Sequence, residues 1–336
     1  MAWRKIGRIF RAEGQRDFMV SHASCPQAVQ QDGDLYRIWF APRDKQNRSY
    51  CAWLEIDITK PTEILRLAET PSVAPGALGA FDEQGAMFSW VMSHDGESRI
   101  YYTGWNIGDT VPFRNAIGMA SASGPDGEFT PSAGPVLDRS AMDPYFVGNP
   151  CVLFAAGNWH LWYLSGTAWS PASDTAPARA SYNLRHALSP DGVNWTPDSA
   201  PAVDYFHPGE MAIARPSVRY ADGLFRMHYS WRGTGYGYRA GYAESADGST
   251  WRRLDEGAGA QPSEEGWDSE MIAYPQVFEH SGQTYMLYCG NGFSAAGFRK
   301  RAVHLTLKTQ GRAVPNSVAV TNKVKLFFRH TKNRCC

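Results

Sequence analysis

Two short acidic strings are the first candidates for chemistry in this chain. Asp82-Glu83 follows Phe81, and Asp268-Ser269-Glu270 follows Trp267. Paired carboxyls beside an aromatic residue suit general acid–base work, because apolar contact raises one pKa while the other group stays ionised. Arginines recur at Arg114, Arg185, Arg215 and Arg239, and converging guanidinium groups bind carboxylate or phosphate. Trp105, Trp169, Tyr236 and Tyr238 offer flat faces for stacking. No Gly-rich phosphate loop of Walker or Rossmann spacing occurs, and no His/Cys/Asp cluster has metal-ligand spacing, so neither a metal nor a cofactor is expected.

The elements that must position these residues come from a repeat. Five segments share an apolar strand, a polar turn and a second strand rich in Tyr and Trp. Their first strands hold Pro26, Phe88, Pro150, Pro216 and Pro275, so each repeat spans about 60 residues. Between the paired strands lie Asp32-Gly33-Asp34, His94-Asp95-Gly96, Ala156-Gly157, Asp222-Gly223 and Ser281-Gly282, which read as polar turns. A third strand follows in several repeats and runs into Pro125-Asp126-Gly127, Pro190-Asp191-Gly192 or Ala246-Asp247-Gly248, read as turn chemistry. The pattern predicts an all-β, five-bladed β-propeller of four-stranded antiparallel blades over residues 1–305. The strand beginning at Trp3 is expected to pair into the last blade. Residues 306–336 read as a basic, poorly ordered tail, with Lys323, Lys325 and Arg329 among its cations.

Composition agrees. Of 336 residues, 43% are hydrophobic, 13% aromatic and 20% charged, and 32 Gly plus 21 Pro favour turns over helices. With 33 basic and 33 acidic side chains there is no electrostatic footprint for nucleic acid. No apolar run is long enough to span a membrane. The six cysteines form no C-x-x-C pair and read as reduced thiols of a cytoplasmic protein.

The arrangement resembles the five-bladed β-propeller carbohydrate-active superfamily, glycoside hydrolase families 32, 43 and 130 among them. Lys5-Ile6-Gly7-Arg8-Ile9-Phe10, Ser21-His22-Ala23, Phe81-Asp82-Glu83-Gln84-Gly85, Tyr102-Thr103-Gly104-Trp105 and Trp267-Asp268-Ser269-Glu270-Met271 are more specifically similar to bacterial proteins associated with surface-polysaccharide genes. The resemblance implies an axial funnel that acts on glycosidic bonds by hydrolysis, phosphorolysis or transfer. It departs from the family at the start of the first three blades. The positions where family-43-type enzymes carry carboxylates are occupied by Cys25, Met87 and Asn149.

Chemistry at such a site must therefore use other carboxylates. The expected pair is Glu270 with Asp82 or Glu83, facing each other across the funnel. His22, Trp105, Arg114, Asn149, Arg185, Glu210, Arg215, Arg239, Asp268 and Tyr274 are the expected ligands of a carbohydrate or sugar phosphate. A non-catalytic glycan-binding propeller and an assembly scaffold are the alternatives. A close carboxyl pair in the funnel points to the enzyme, and an aromatic funnel without one points to the binding module.

Overall fold

The computed structural model describes residues 3–174, 176–292, 304–310 and 327–330. Among them there is no α-helix, only a 3-10 turn at Asp255–Ala258. Among the described residues no helix is long and apolar enough to cross a membrane.

Five antiparallel units follow the repeats. Unit one holds β2 (Ser21–Asp32), β3 (Leu35–Arg43), β4 (Ala52–Asp57) and β5 (Ile64–Leu67). Unit two holds β6 (Gly85–His94), β7 (Glu97–Ile107), β8 (Phe113–Ser123) and β9 (Thr130–Pro131). Unit three holds β10 (Val147–Ala155), β11 (Asn158–Ser170), β12 (Arg179–Ser189) and β13 (Thr196–Pro197). Unit four holds β14 (Glu210–Ala221), β15 (Leu224–Gly233), β16 (Arg239–Ser245) and β17 (Arg252–Arg253). Unit five joins β18 (Ala273–His280) and β19 (Gln283–Cys289) to β20 (His304–Gln310), with β1 (Arg4–Arg11) at its edge. The N-terminal strand thus completes the last sheet, as the sequence predicts. The boundary expected at residue 305 falls inside β20. Beyond it, β21 (Phe327–His330) pairs with β20 in parallel, and the rest of the expected tail lies outside the described residues.

The first hairpin of units two to five turns on two consecutive positive-φ residues, such as Asp95 (50°) with Gly96 (80°) and Asp222 (54°) with Gly223 (72°). These are the type I′ turns that match strand twist. The Asp-Gly turns between third and fourth strands lock neighbouring units together. Tyr101 donates to the Gly192 carbonyl (2.8 Å), Trp162 to the Gly248 carbonyl (2.7 Å) and Arg37 to the Pro125 carbonyl (3.0 Å).

Nearer the centre, hydrogen bonds connect the units in cyclic order. Val91 N–H donates to the Gln27 side chain (2.7 Å), Asn149 N–H to Thr103 Oγ1 (2.8 Å) and Val218 N–H to Cys151 Sγ (3.3 Å). Tyr274 N–H donates to Ser230 Oγ (2.6 Å), and Ala28 N–H to Gln276 Oε1 (3.1 Å). The five first strands also touch each other in this order, β18 returning to β2.

Each first strand is bulged at one equivalent place. The register slips between Ser24 and Gln27, Phe88 and Trp90, Gly148 and Cys151, Ala214 and Ser217, and Ala273 and Gln276. Four of the bulges put a pre-proline residue into the left-handed region: Cys25 (φ 54°), Asn149 (46°), Arg215 (54°) and Tyr274 (57°). Such a conformation costs on the order of 1–3 kcal/mol per residue and re-aims its side chain. These residues surround the axis.

Candidate functional site

A cavity of about 330 Å³ opens where the five units meet. Unit one contributes Arg43, unit two Met87, Thr103, Trp105 and Asn115, and unit three Asn149 and Tyr182. Unit four adds Arg232 and Tyr238, and unit five Tyr274. Two of the bulge residues, Asn149 and Tyr274, line it, as does Met87, which precedes the bulge of unit two. Two more, Cys25 and Arg215, lie fully buried beside it: Asn149 Nδ2 contacts Cys25 Sγ (3.9 Å), and Arg215 Nη2 donates to the Cys25 carbonyl (3.2 Å). Burial pushes the Cys25 thiol up to about 11, so it stays protonated.

The walls are aromatic and cationic. Arg43 sits over the Trp105 ring at 5.5 Å, and Arg232 over Tyr182 at 5.9 Å and Tyr238 at 5.4 Å. Tyr182 and Tyr238 share a short hydroxyl–hydroxyl hydrogen bond, and the Tyr274 hydroxyl is pushed well up by burial. Among the described residues no Asp or Glu lines this cavity, and every Asp and Glu of the chain is a described residue.

The expected site residues therefore separate. Trp105, Asn149 and Tyr274 line the cavity, and Arg215 lies fully buried next to it. Glu270, Asp82 and Glu83 do not meet at the axis. Asp82 is buried and accepts from Tyr102 (2.9 Å). Glu83 accepts from Gly79 N–H (2.7 Å) and Asn106 (3.1 Å). Glu270 is exposed, and its carbonyl receives Arg239 Nη1 at 2.9 Å. Asp268 is fully buried against Lys5 and Tyr288. Arg185 lies near Asp143 (3.6 Å) and donates to the Asp198 and Ser199 carbonyls. Glu210 is held by Arg253 on both oxygens, at 2.9 Å each. His22 hydrogen-bonds Ser21 (2.9 Å) at φ 65°, and Arg114 is exposed in a side cavity.

A signal in the sequence separates the acidic residues. Asp82–Tyr102, Asp143–Tyr163 and Asp268–Tyr288 all lie 20 residues apart and all form the same carboxylate–phenol hydrogen bond. The aspartates before the first strands of units two, three and five are thus one repeated structural feature. The aromatic residue before Asp82 and Asp268 packs on a glycine two residues after the tyrosine. A Cβ at Gly104 would lie 2.3 Å from Phe81, and one at Gly290 would lie 2.4 Å from Trp267. Arg43 and Arg232 gave no such signal, since each ends a second strand without a repeated motif.

Equivalent position does not mean equivalent charge. Burial is the main influence on Asp82 and raises its pKa against the hydrogen bond from Tyr102. Burial also works on Asp268, but Lys5 and Tyr288 prevail and hold that pKa down. Asp268 thus adds stability above its unfolded pKa that is lost as pH falls through the folded value. Asp82 behaves oppositely: any stability it adds is lost as pH rises through its raised folded pKa. Asp268→Asn is expected to cost about 3 kcal/mol at pH 7, because it removes the carboxylate that balances the Lys5 charge. Asp82→Asn is expected to be neutral or stabilising there. Urea unfolding of both variants at pH 7 checks this, and equal costs would contradict it.

A larger cleft of about 1150 Å³ lies between units one and two, lined by Arg16, Trp53, Glu69, Asp82 and Glu128 among others. It draws on two units only and on none of the bulge residues, so the axial cavity is the better candidate. A side cavity of about 380 Å³ holds Glu83, Asp109, Arg114 and Asp138 and shares Asn115 with the axial one.

No family model matches the chain. The uncharacterized protein MT1551 of Mycobacterium tuberculosis (strain CDC 1551 / Oshkosh) is 38% identical over 299 residues, 89% of this chain and 98% of that protein. Among solved structures, a glycoside hydrolase superposes with a TM-score of 0.70 at 16% identity, over 95% of both chains. An endo-arabinase from Bacteroides thetaiotaomicron VPI-5482 gives 0.58 at 15% identity, over 90% of this chain and 96% of the other. These likenesses establish an all-β fold of the kind glycoside hydrolases use. On identity and coverage together, the chain belongs to the family of the mycobacterial protein MT1551.

Proposed function

We propose that this chain is a five-bladed β-propeller that binds a carbohydrate, such as a unit of a surface polysaccharide, in its axial cavity. The observation that carries this reading is the lining itself. It has stacking faces at Trp105, Tyr182 and Tyr238, hydrogen-bonding groups at Thr103, Asn115 and Asn149, and no carboxylate among the described residues. Aromatic faces with a few convergent polar groups are the usual make-up of a small-ligand site. Cleavage of a glycosidic bond in the usual way needs two carboxyls flanking it, so recognition without turnover fits the cavity best.

One observation favours hydrolysis as a second reading. Asn115 borders both the axial and the side cavity, so a ligand extending past it would meet Glu83, Asp109 and Asp138. A panel of bacterial oligosaccharides, read by calorimetry and by reducing-end release, separates the two. Binding without release is expected, with Trp105→Ala weakening it about tenfold through lost stacking. Release by the wild type that Glu83→Gln abolishes would replace the binding reading with the hydrolytic one.

A further inference from the structure

Most arginines that the fold uses are neutralised. Arg37 pairs with Glu55 at 2.7 Å, Arg253 with Glu210 and Asp255, and Arg219 with Glu279. The arginines at the axis are not. Arg43 donates to Asn47 Oδ1 (3.0 Å), and Arg232 to the Tyr182 hydroxyl (3.4 Å). Arg215, fully buried, donates to the Cys25, Pro26 and Pro216 carbonyls and lies over the Trp90 ring at 5.3 Å, while its Nε has no hydrogen-bond partner. None of the three forms an ion pair with a carboxylate among the described residues, which include every Asp and Glu of the chain.

His22 lies close enough to Arg43 to be affected by its charge and cannot compensate it. Burial first, and then Arg43, hold the imidazole down at about 3, so it is neutral. Burial likewise pulls the Arg43 pKa below its ordinary value. Two guanidinium groups thus face one cavity of about 330 Å³, with a third buried beside it. Desolvated charge without a counter-ion is costly, and a fold keeps it where a ligand supplies the opposite charge.

We infer that the ligand of the axial cavity is an anionic sugar, its carboxylate or phosphate bound between Arg43 and Arg232 while its ring lies among Trp105, Tyr182 and Tyr238. This rests on the carbohydrate reading above and names the class of sugar. Guanidinium suits both anions because its fork of N–H donors matches two oxygens at once. The partly buried setting makes the attraction less sensitive to salt than a surface contact.

Calorimetry with glucuronic acid, galacturonic acid, glucose 1-phosphate, glucose, galactose and inorganic phosphate tests it. At least one acidic sugar or the sugar phosphate is expected to bind ten times or more tighter than its neutral counterpart. Uronic acid against sugar phosphate tells which anion is meant. Arg43→Met and Arg232→Met should each erase that preference, Arg232→Lys should keep part of it, and Arg219→Met should leave it intact. Unfolding curves show that each variant is folded. Neutral sugars binding as tightly as charged ones overturn the inference and leave the carbohydrate reading standing. Inorganic phosphate binding as tightly as glucose 1-phosphate overturns the carbohydrate reading itself, as does a panel in which nothing binds.

Discussion

Arg253→Met is expected to lower the free energy of unfolding by about 3–5 kcal/mol, the usual cost of removing one partner from a buried ion pair. Arg253 is the hub of unit four. Its Nη atoms hold Glu210 at 2.9 Å each, Nη2 and Nε hold Asp255 Oδ2 at 2.7 and 3.2 Å, and Nη1 reaches the Asp204 carbonyl at 2.8 Å. Tyr229 and the Tyr242 N–H close the shell around Asp255. Glu210 also receives the Phe206 and His207 N–H groups, at 2.7 and 3.0 Å, and so fixes the loop that leads into the first strand. Without the guanidinium, the Glu210 and Asp255 carboxylates keep their hydroxyl and N–H donors and the His207 contact to Asp255 (2.8 Å) but lose the permanent positive charge between them. The loss is large against a whole stability of about 5–15 kcal/mol. Arg66→Met is the control. Its side chain is 66% exposed where it meets Glu55, so its loss should cost no more than about 1 kcal/mol. Urea titration of both variants decides the matter, and a cost for Arg253→Met below about 1 kcal/mol would refute the hub role.

The second large effect is acid instability that begins well above the carboxylate range. His22 is held down at about 3 and His160 at about 4, in both cases chiefly by burial. His186 is also lowered by burial, which outweighs Asp198 at 2.7 Å. His160 and His186 touch ring to ring (3.0 Å), so charging one opposes charging the other. In the unfolded chain these groups take up protons below about 6.5. The folded pKa values are depressed, so the unfolded state binds more protons as pH falls from 6.5 toward 4, and stability declines. Each such histidine contributes a slope of about 1.4 kcal/mol per pH unit over that window. With one to three of them acting, the drop over two pH units is at most about 3–8 kcal/mol, a large share of the whole stability when all three act. Unfolding free energies measured from pH 7.5 to 4.5 should show it. His160→Phe, which can keep the stack on Trp162, should flatten the slope. A stability that is level from pH 7 to 5 would exclude neutral buried histidines as its cause.

These two networks share a feature with the axial cavity. In each, the deciding contact joins residues far apart in the chain, such as Glu210 with Arg253 or Arg43 with Trp105. The functional consequence depends on whether a charge has found its partner within the fold. Arg253 and Arg37 have, and they stabilise units. Arg43, Arg232 and Arg215 have no carboxylate partner among the described residues, and on the inference drawn above a ligand supplies the anion.

The sequence by itself determined the repeating units and much of their detail. The spacing of Pro26, Phe88, Pro150, Pro216 and Pro275 located all five first strands. The Asp-Gly and Ser-Gly pairs located the hairpins, because only residues tolerant of positive φ make those turns easily. Of the residues before the prolines, read as axial, Asn149 and Tyr274 line the cavity and Cys25 and Arg215 do not; Trp105, read as a stacking platform, also lines it. Tertiary structure alone decided which charged groups face the axis. Strand alternation tells which side of a sheet a residue occupies, but a one-residue bulge reverses that side, and every first strand carries one. Asp82, Asp268 and Glu210 sit in the segments entering those strands, yet each is taken by a partner from elsewhere in the chain. Arg43 and Arg232 look like ordinary strand-end arginines. What sets them apart is the carboxylate that never reaches them, and pairing of that kind depends on through-space distance, which the order of residues does not encode.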